Sequence, residues 1–497
     1  MSLSLIDPLK HRQLFLDDYA IEKMERVKRT PHQPRKCGPA IRPDRSRGQT
    51  ALQSRSVPQW NSEKGIWEWW YWAHLSDASG ASKDVMHYAT STDGESWERP
   101  SLGLHEWNGS KDNSIAYDPA AGSRPIYHVI RDEGEEDPQR RYKGLFSASD
   151  RYLGVSPDGF KWTMLDVPPI PSQDESHFTY DEISEQYIAM VKHGTEWGRS
   201  VWLSTSKDFE HFSEPKLIFR TDEIDKENRR QRVKKVVEDP AYIAPPIVDD
   251  EDYIAEVYQM AVLPYEGMYV GFPGIFNPVG AIPPPHMNFT RINQVEVTAS
   301  RDLYQWERVG DRKVFIGIEP WDGERYDTSQ VLLCGRPIVR QDKGEIWIYY
   351  NALRVPGGRD NYREFNRDRE LFRLNVDPEV FNDGGALNLA KLRLDGFVSL
   401  DGEEQGVVVT KPFMLKGESV YVNADARWGE LHAEIMDAET MKTHPGFVVW
   451  LGKTNAVKGD HLRAQITWKD NPELVFEKPV RLRFILRQAR LYSFWLE

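Results

Sequence analysis

The sequence predicts an all-β protein in two parts, a five-bladed β-propeller over residues 1–384 and a C-terminal β-sandwich over residues 385–497. Three observations carry that expectation. A unit of the form Ser-x-Asp-x-x-x-aromatic occurs four times, at Ser91 to Trp97, Ser156 to Trp162, Ser206 to Phe212 and Ser300 to Trp306. A unit that recurs every ~50–90 residues between strand-like runs is what a propeller looks like in sequence. Aromatic and β-branched runs bounded by Gly, Asp or Pro dominate the first three quarters of the chain, as in Gly65 to Trp72, Gln186 to Val191 and Glu345 to Tyr350. Beyond about Asp377 the pattern changes to period-two alternation with short, regular turns, the pattern of a sandwich.

Within each predicted blade a Tyr- or Trp-rich strand, a loop, a strand ending at the Ser-x-Asp turn and an outer strand follow in order. The turn Asp accepts hydrogen bonds from nearby backbone N–H groups, and the aromatic packs between sheets. The four Asp residues therefore read as scaffold and not as catalytic groups. The copies are unevenly spaced: Asp93 to Asp158 is 65 residues, Asp158 to Asp208 is 50, and Asp208 to Asp302 is 94. The long interval carries Pro240, Pro245, Pro246, Pro264, Pro273, Pro278 and the run Pro283 to Pro285, and such insertions belong to loops that build binding sites. A fifth blade is expected from Arg336 to Leu353, closed by the N-terminal strand Gln13 to Leu16, which would remove the open edge. Short helices fit Asp222 to Glu238 and Tyr362 to Leu371. The sandwich strands are expected at Leu392 to Leu400, Gly406 to Thr410, Ser419 to Asn423, Glu430 to Ile435, Ala464 to Trp468 and Val480 to Leu486.

Composition narrows the function. Charged residues are 28% and hydrophobic ones 39%, the balance of a globular protein, and 17 Trp and 21 Tyr suit both β cores and sugar-stacking surfaces. A net charge of −13 without a basic stripe argues against nucleic acid as a partner. The one basic run, Arg229 to Lys235, reads as a solvated helix or loop face. No apolar run approaches the ~18 residues needed to span a membrane, and no signal segment opens the sequence, so the expectation is a cytoplasmic chain or an exported one already processed. Cys37 and Cys334 are too few for a disulfide framework or a metal cluster and read as buried thiols. The pattern specifies no oligomeric state.

Several segments carry a resemblance to a known group. They are Arg12 to Tyr19 (RQLFLDDY), Arg141 to Gly144 (RYKG), Pro264 to Gly271 (PYEGMYVG), Leu394 to Leu400 (LDGFVSL), and Val480 to Phe484 through Leu491 to Phe494. Over nearly its whole length the chain resembles glycoside hydrolase family 32 and its relatives, which include family 43, and most closely a group of bacterial family-32-like proteins. The resemblance implies a funnel on the propeller axis with three carboxylates: a nucleophile or base on the first blade, an orienting acid from the second or third, and a Glu that donates the proton. Such a set is needed because the leaving oxygen is protonated while the anomeric carbon is attacked. Carried over, the first acid is Asp17 or Asp18, with Asp18 favoured, and period-two alternation lets only one of them face the funnel. The second is Asp181, and the donor is Glu266, in a Tyr-Glu-Gly element similar to that of family 43. Asp239, Glu296 and Asp327 are alternatives. Arg55, His87, His128, His177, His193, Arg199, Tyr265 and His286 are candidate substrate contacts, and a cluster of cations there would suit a carboxylate, sulfate or phosphate. Each candidate also has a plain structural reading as a turn Asp, a paired Glu or a satisfied core His.

The chain departs from family 32 in lacking the Asn-Asp-Pro-Asn core. The nearest match to the Arg-Asp-Pro element, Arg131-Asp-Glu, lacks the Pro, and no Glu-Cys acid motif is present. Invertase-type fructosidase activity is therefore not expected. The expected function is a glycosidase acting on a terminal bond, furanoside-type bonds included, of an oligo- or polysaccharide. A glycoside phosphorylase and a non-catalytic carbohydrate-binding propeller are the alternatives. No cofactor is expected; some relatives hold an axial Ca²⁺, but no calcium-loop motif is present here.

Overall fold

The computed structural model describes residues 4–77, 82–119, 124–282, 288–354, 378–470 and 472–497. It is mostly β, with 51% of residues in strands and 7% in helix. Strands pair first with their neighbours in sequence, so most of the chain reads as successive four-stranded antiparallel meanders. The first runs from Gln49–Gln53 and Gln59–Asn61 through Ile66–Ser76 and Ser82–Ser91 to Ile115–Tyr117. The second spans Ile126–Arg131 to Thr163–Met164, and the third Ser176–Asp181 to Lys216–Phe219. The fourth joins Glu256–Tyr265, Met268–Ile282, Thr298–Ser300 and Glu307–Arg308. The fifth takes Gln330–Leu333 with Ile338–Arg340, then Glu345–Leu353 and Gly385–Arg393, and its outer strand is Arg35–Ile41.

That last pairing corrects two expectations. The N-terminal segment that completes the fifth meander is Arg35–Ile41; Gln13–Leu14 instead pairs with Ala489–Leu496 in the C-terminal sheet. Sheet membership also differs from the boundary expected at 384/385. Gly385–Arg393 stays with the fifth meander, and Ile21–Pro31 crosses to pair along Val398–Thr410. The expected strand Leu392 to Leu400 is broken by a turn at Leu394 to Phe397, where Asp395 sits at φ +61°. The expected helix Tyr362 to Leu371 lies outside the described residues.

The Ser-x-Asp turns explain why the repeat occurs four times beside five meanders. In the turn at Asp93, the Ser91 Oγ accepts from Gly94 N at 2.8 Å, and Asp93 Oδ1 accepts from Glu95 N and Ser96 N at 2.7 and 2.8 Å. The Trp97 indole then donates to Gly94 O at 3.2 Å. Asp158 and Asp302 repeat the same pattern. The turn joins the third and fourth strands of a meander, and in the fifth those strands come from opposite ends of the chain, so no such turn is built. Asp158→Ala removes an acceptor from two backbone N–H groups and is expected to cost about 1–2 kcal/mol, read as a lower urea midpoint at unchanged m.

The C-terminal sheet has seven strands. Val398–Thr410 and Val420–Asp437 each pair along one half with Val480–Arg487 and along the other with Ala489–Leu496, so the two long strands share one hairpin. Side chains alternate inward along them, with Val408, Val420, Val422, Leu431, Ile435, Leu482 and Phe484 all buried. This sheet meets the fourth meander through polar contacts. Tyr265 Oη donates to buried Asp395, which also accepts from Ser493 Oγ at 2.6 Å, and Arg12 donates to Glu266 at 2.7 and 3.0 Å.

Helix α1 (Glu223–Glu238) lies in the long interval between the third and fourth repeats, but strands Glu256–Tyr265, Met268–Ile282 and Asn288–Val295 occupy more of it, and Pro264, Pro273 and Pro278 sit in those strands and not in the expected loops. Asp222 caps it and Asp225 completes a capping box. The basic run lies on α1 but is not simply a solvated face. Arg229 donates to Pro278 O at 2.8 Å, and Arg232 pairs with buried Glu296 at 2.6 Å. Cys37 is exposed and Cys334 buried, and both are free, so the expectation of two buried thiols fails for Cys37. Among the described residues no helix is long and apolar enough to cross a membrane.

Candidate functional site

Hydrogen bonds join the first meander to residues near the starts of the first strands of the second and third, and to the fifth, which is bonded in turn by the fourth. Arg55, from the first meander, reaches Glu175, just ahead of the third, and donates from Nε and Nη2 at 2.5 and 2.6 Å. The fifth meander returns to the first through Asn351, whose Oδ1 accepts from Ser54 N at 2.6 Å. The fourth bonds the fifth through Gln259 Nε2 to Leu333 O at 2.8 Å. His128 bridges the first and third by sharing hydrogen bonds with Arg55 O at 2.7 Å and Ser176 Oγ at 2.8 Å. These contacts join meanders distant in sequence.

Three carboxylates stand at this convergence, each held by a cation: Glu175 by Arg55, Asp174 by Lys192, and Glu256 by Arg199. The Arg55–Glu175 pair is buried, whereas the Asp174 side chain is 55% exposed. Burial would push the Asp174 carboxyl up, but Lys192 outweighs it and holds the acid below the usual carboxylate range. Burial pushes Lys192 down despite Asp174 and Glu175. Two tyrosines feel the same charges. Burial, then Glu175, raises Tyr127, and burial with Glu175 next pushes Tyr258 up to about 12. Lys192 Nζ lies 4.4 Å from the Tyr258 ring centroid, and Arg291 lies over the same ring at 5.6 Å.

Next to Arg55 opens a cavity of about 360 Å³, walled by Gln53, Trp72, His74, Asp84 and Tyr127. Trp72 and Tyr127 stand 6.3 Å apart between ring centroids and present an aromatic wall. His74 Nδ1 lies 2.8 Å from Asp84 Oδ1, and its Nε2 is buried without a partner. A base oriented by a carboxylate has this form.

Of the residues expected from the sequence, Arg55, Arg199 and His128 reach this site and the proposed acids do not. Asp181 lies at the far end of the strand that begins beside Glu175, where Ser184 Oγ and Tyr269 Oη donate to it at 2.5 and 2.8 Å. Glu266 lies at the far end of Glu256–Tyr265, in a tight turn at φ +49° bound to Arg12. Tyr265 is committed to Asp395. Asp18 is exposed and paired with Arg29, and Asp17 is locked by Arg301 Nε and Nη2 at 2.8 and 3.0 Å. Asp239 caps the end of α1 and accepts from Ala241 N. Glu296 is buried in a network with Arg232 and Arg308, and Asp327 is held by Lys36. His193 Nε2 contacts Pro171 O. His286 lies outside the described residues. Asp181 and Glu266 thus lie at the strand ends opposite this convergence, and Asp18, Asp181 and Glu266 are each engaged by other partners. Asp174, Glu175 and Glu256 stand immediately before or at the first residue of a first strand. That placement was the available signal, and it is readable only once the converging end is known.

His87, His128 and His177 are buried and neutral. Burial pushes His87 and His177 down to about 3 and His128 well below 6.5, and neither ring nitrogen of His177 has a partner. The unfolded chain takes up these protons from about pH 6.5 downward, and the fold does not until about pH 3. Stability is therefore expected to fall with pH across that window, by up to ~1.4 kcal/mol per pH unit for each His. Urea unfolding at pH 7, 6, 5 and 4 checks this, and His177→Leu is expected to reduce the slope.

Among the described residues no group of three or more His, Cys, Asp or Glu is arranged to hold a metal ion. No protein-family model matches the chain, and no curated protein aligns with it. Solved structures to which the chain shows similarity include an N-acetylgalactosamine deacetylase from F. plautii in complex with blood group B trisaccharide (13% identity, 75% of this chain and 97% of that one, TM-score 0.40). Another comes from the family of mannoside phosphorylases that contains hydrolases of β-1,2-mannosidic linkages in Candida mannan (12%, 77% and 97%, 0.39). A third is a fructofuranosidase from Schwanniomyces occidentalis complexed with fructosylnystose (10%, 100% and 100%, 0.39). Likeness at this distance assigns no activity.

Proposed function

We propose that the protein is a glycosidase that cleaves a terminal bond of an oligo- or polysaccharide at the convergence of the five meanders. In this reading the meanders are the blades of a five-bladed propeller closed by Arg35–Ile41. The C-terminal strands, with the segment up to Pro31, form an accessory β-sandwich. The observation that carries the proposal is the meeting of Asp174, Glu175 and Glu256 beside a cavity with an aromatic wall. Aromatic faces stack on sugar rings, and paired carboxylates supply attack and proton transfer.

The roles follow from environment. Asp174, ionised and half exposed beside Lys192, acts as nucleophile or base. Glu256 is held by an Arg199 whose side chain is 27% exposed, so a substrate hydroxyl can replace the guanidinium and leave Glu256 able to carry the proton for the leaving oxygen. Glu175, buried and held at two points by Arg55, orients the sugar and does not transfer a proton. The test is sugar release from a panel of aryl glycosides and oligosaccharides. No release from any of them, with or without phosphate, would sink the reading.

One observation favours a second reading, a phosphorylase. Arg291 is buried at the same place, and among the described residues it donates only to neutral acceptors, Gln330 Oε1 at 3.1 Å and Phe289 O at 3.3 Å. A guanidinium without a carboxylate suits an anionic co-substrate. Turnover that requires inorganic phosphate and yields a sugar phosphate would select it.

A further inference from the structure

A cavity of about 820 Å³ is distinct from the one at Arg55 and shares no wall with it. It lies between the fourth and fifth meanders, roofed by the end of α1 and the segment from Val314 to Asp327. We infer that it is a second binding site, for a neutral polyhydroxylated ligand such as a short oligosaccharide.

Volume, charge and unmet hydrogen bonds carry the inference. The size falls within the ~300–1,000 Å³ of small-molecule sites. Five cationic and four carboxylate side chains line the cavity, and most are already matched. Lys36 Nζ bonds Asp327 Oδ2, Glu319 Oε1 and Gly317 O at 2.7, 2.9 and 2.5 Å. Arg325 holds Asp322, and Arg232 holds Glu296. Little net charge is left to recruit an ion.

What remains unmet is a hydrogen-bond acceptor and a donor. Asn388, 2% exposed, donates to Tyr350 Oη at 3.3 Å, and its Oδ1 is buried without a partner. Arg232 Nη1 is likewise buried and unpartnered. A buried polar atom left unmet is costly, so a ligand whose hydroxyls meet these two is favoured. A hydroxyl donates and accepts in one group, and a polyol repeats it at sugar spacing. At the rim Arg42 and Lys235 each stand 5.4 Å from the centroid of a buried tyrosine ring, Tyr326 and Tyr242, and add N–H donors to the lining.

The test is isothermal titration of the full chain with cellotriose, mannotriose and maltotriose, with trigalacturonate as the anionic comparator. At least one neutral trimer is expected to bind. Asn388→Leu is expected to weaken it about tenfold or more, and the rim variant Arg42→Ala/Lys235→Ala about threefold, since a hydrogen bond lost at a buried site outweighs one at its edge. Asp174→Asn is expected to leave this binding unchanged, which separates it from the activity proposed at Arg55. If Asn388→Leu fails to fold, the rim variant decides. No heat with any neutral trimer, tighter binding of trigalacturonate, or binding unchanged in the cavity variants overturns the proposal.

Discussion

Asp174→Asn and Glu256→Gln are each expected to lower kcat on the best substrate by about 10²–10⁴-fold, the range associated with losing one positioned acid or base. KM should change far less, because neither substitution removes the aromatic wall at Trp72 and Tyr127. Asp18→Asn and Glu266→Gln are expected to keep wild-type turnover. Asp18 faces solvent beside Arg29, and Glu266 serves Arg12 at the opposite strand end. The four variants together locate the chemistry. Loss of turnover in Glu266→Gln, with Asp174→Asn active, would move the site to the other face. Glu175→Gln is less diagnostic, because it leaves the buried Arg55 charge without its partner and so lowers stability as well as rate.

Glu296→Ala is expected to be the most destabilising of the substitutions considered. Glu296 and Asp225 have fully buried side chains and share Arg308, whose Nη2 lies 2.5 Å from one and 2.7 Å from the other. Arg232 adds a contact to Glu296 at 2.6 Å, and Arg312 binds Asp222 and Asp225 at 2.5 and 3.0 Å. This network fixes α1 to the fourth meander. Its cations are already short of partners, since Arg232 Nη1 and Arg308 Nε are buried without any. Removing the carboxylate leaves Arg232 without a carboxylate partner and Arg308 with Asp225 alone, a loss of about 3–5 kcal/mol for a broken buried pair. The exposed pair Arg336–Glu182 is the control: Glu182→Ala should change stability by ~0–1 kcal/mol. Chemical denaturation of both variants followed by tryptophan fluorescence measures the contrast. Equal midpoints would contradict it.

Much of the fold was legible along the chain because it rests on local chemistry. The Ser-x-Asp turns announce themselves through backbone hydrogen bonds that span four residues. Strands such as Glu345–Leu353 show in composition, and α1 shows in its capping Asp222. The candidate site was less legible. Arg55 and Arg199 were anticipated, but the acids were placed at Asp181 and Glu266, one strand length from Glu175 and Glu256. His74 gave no signal, since its partner Asp84 is set by the register of a hairpin.

The sequence by itself therefore determined the mostly β character, the recurring turn and the one long helix, each of which is settled by residues close in the chain. Only the tertiary structure decided which end of each strand faces inward, that Arg35–Ile41 completes the fifth meander, and that Ile21–Pro31 joins the C-terminal sheet. Those choices depend on pairings across hundreds of residues, such as Leu387 with Ile41 and Leu400 with Arg29. Alternation tells a strand which face to bury and is silent on which partner buries it.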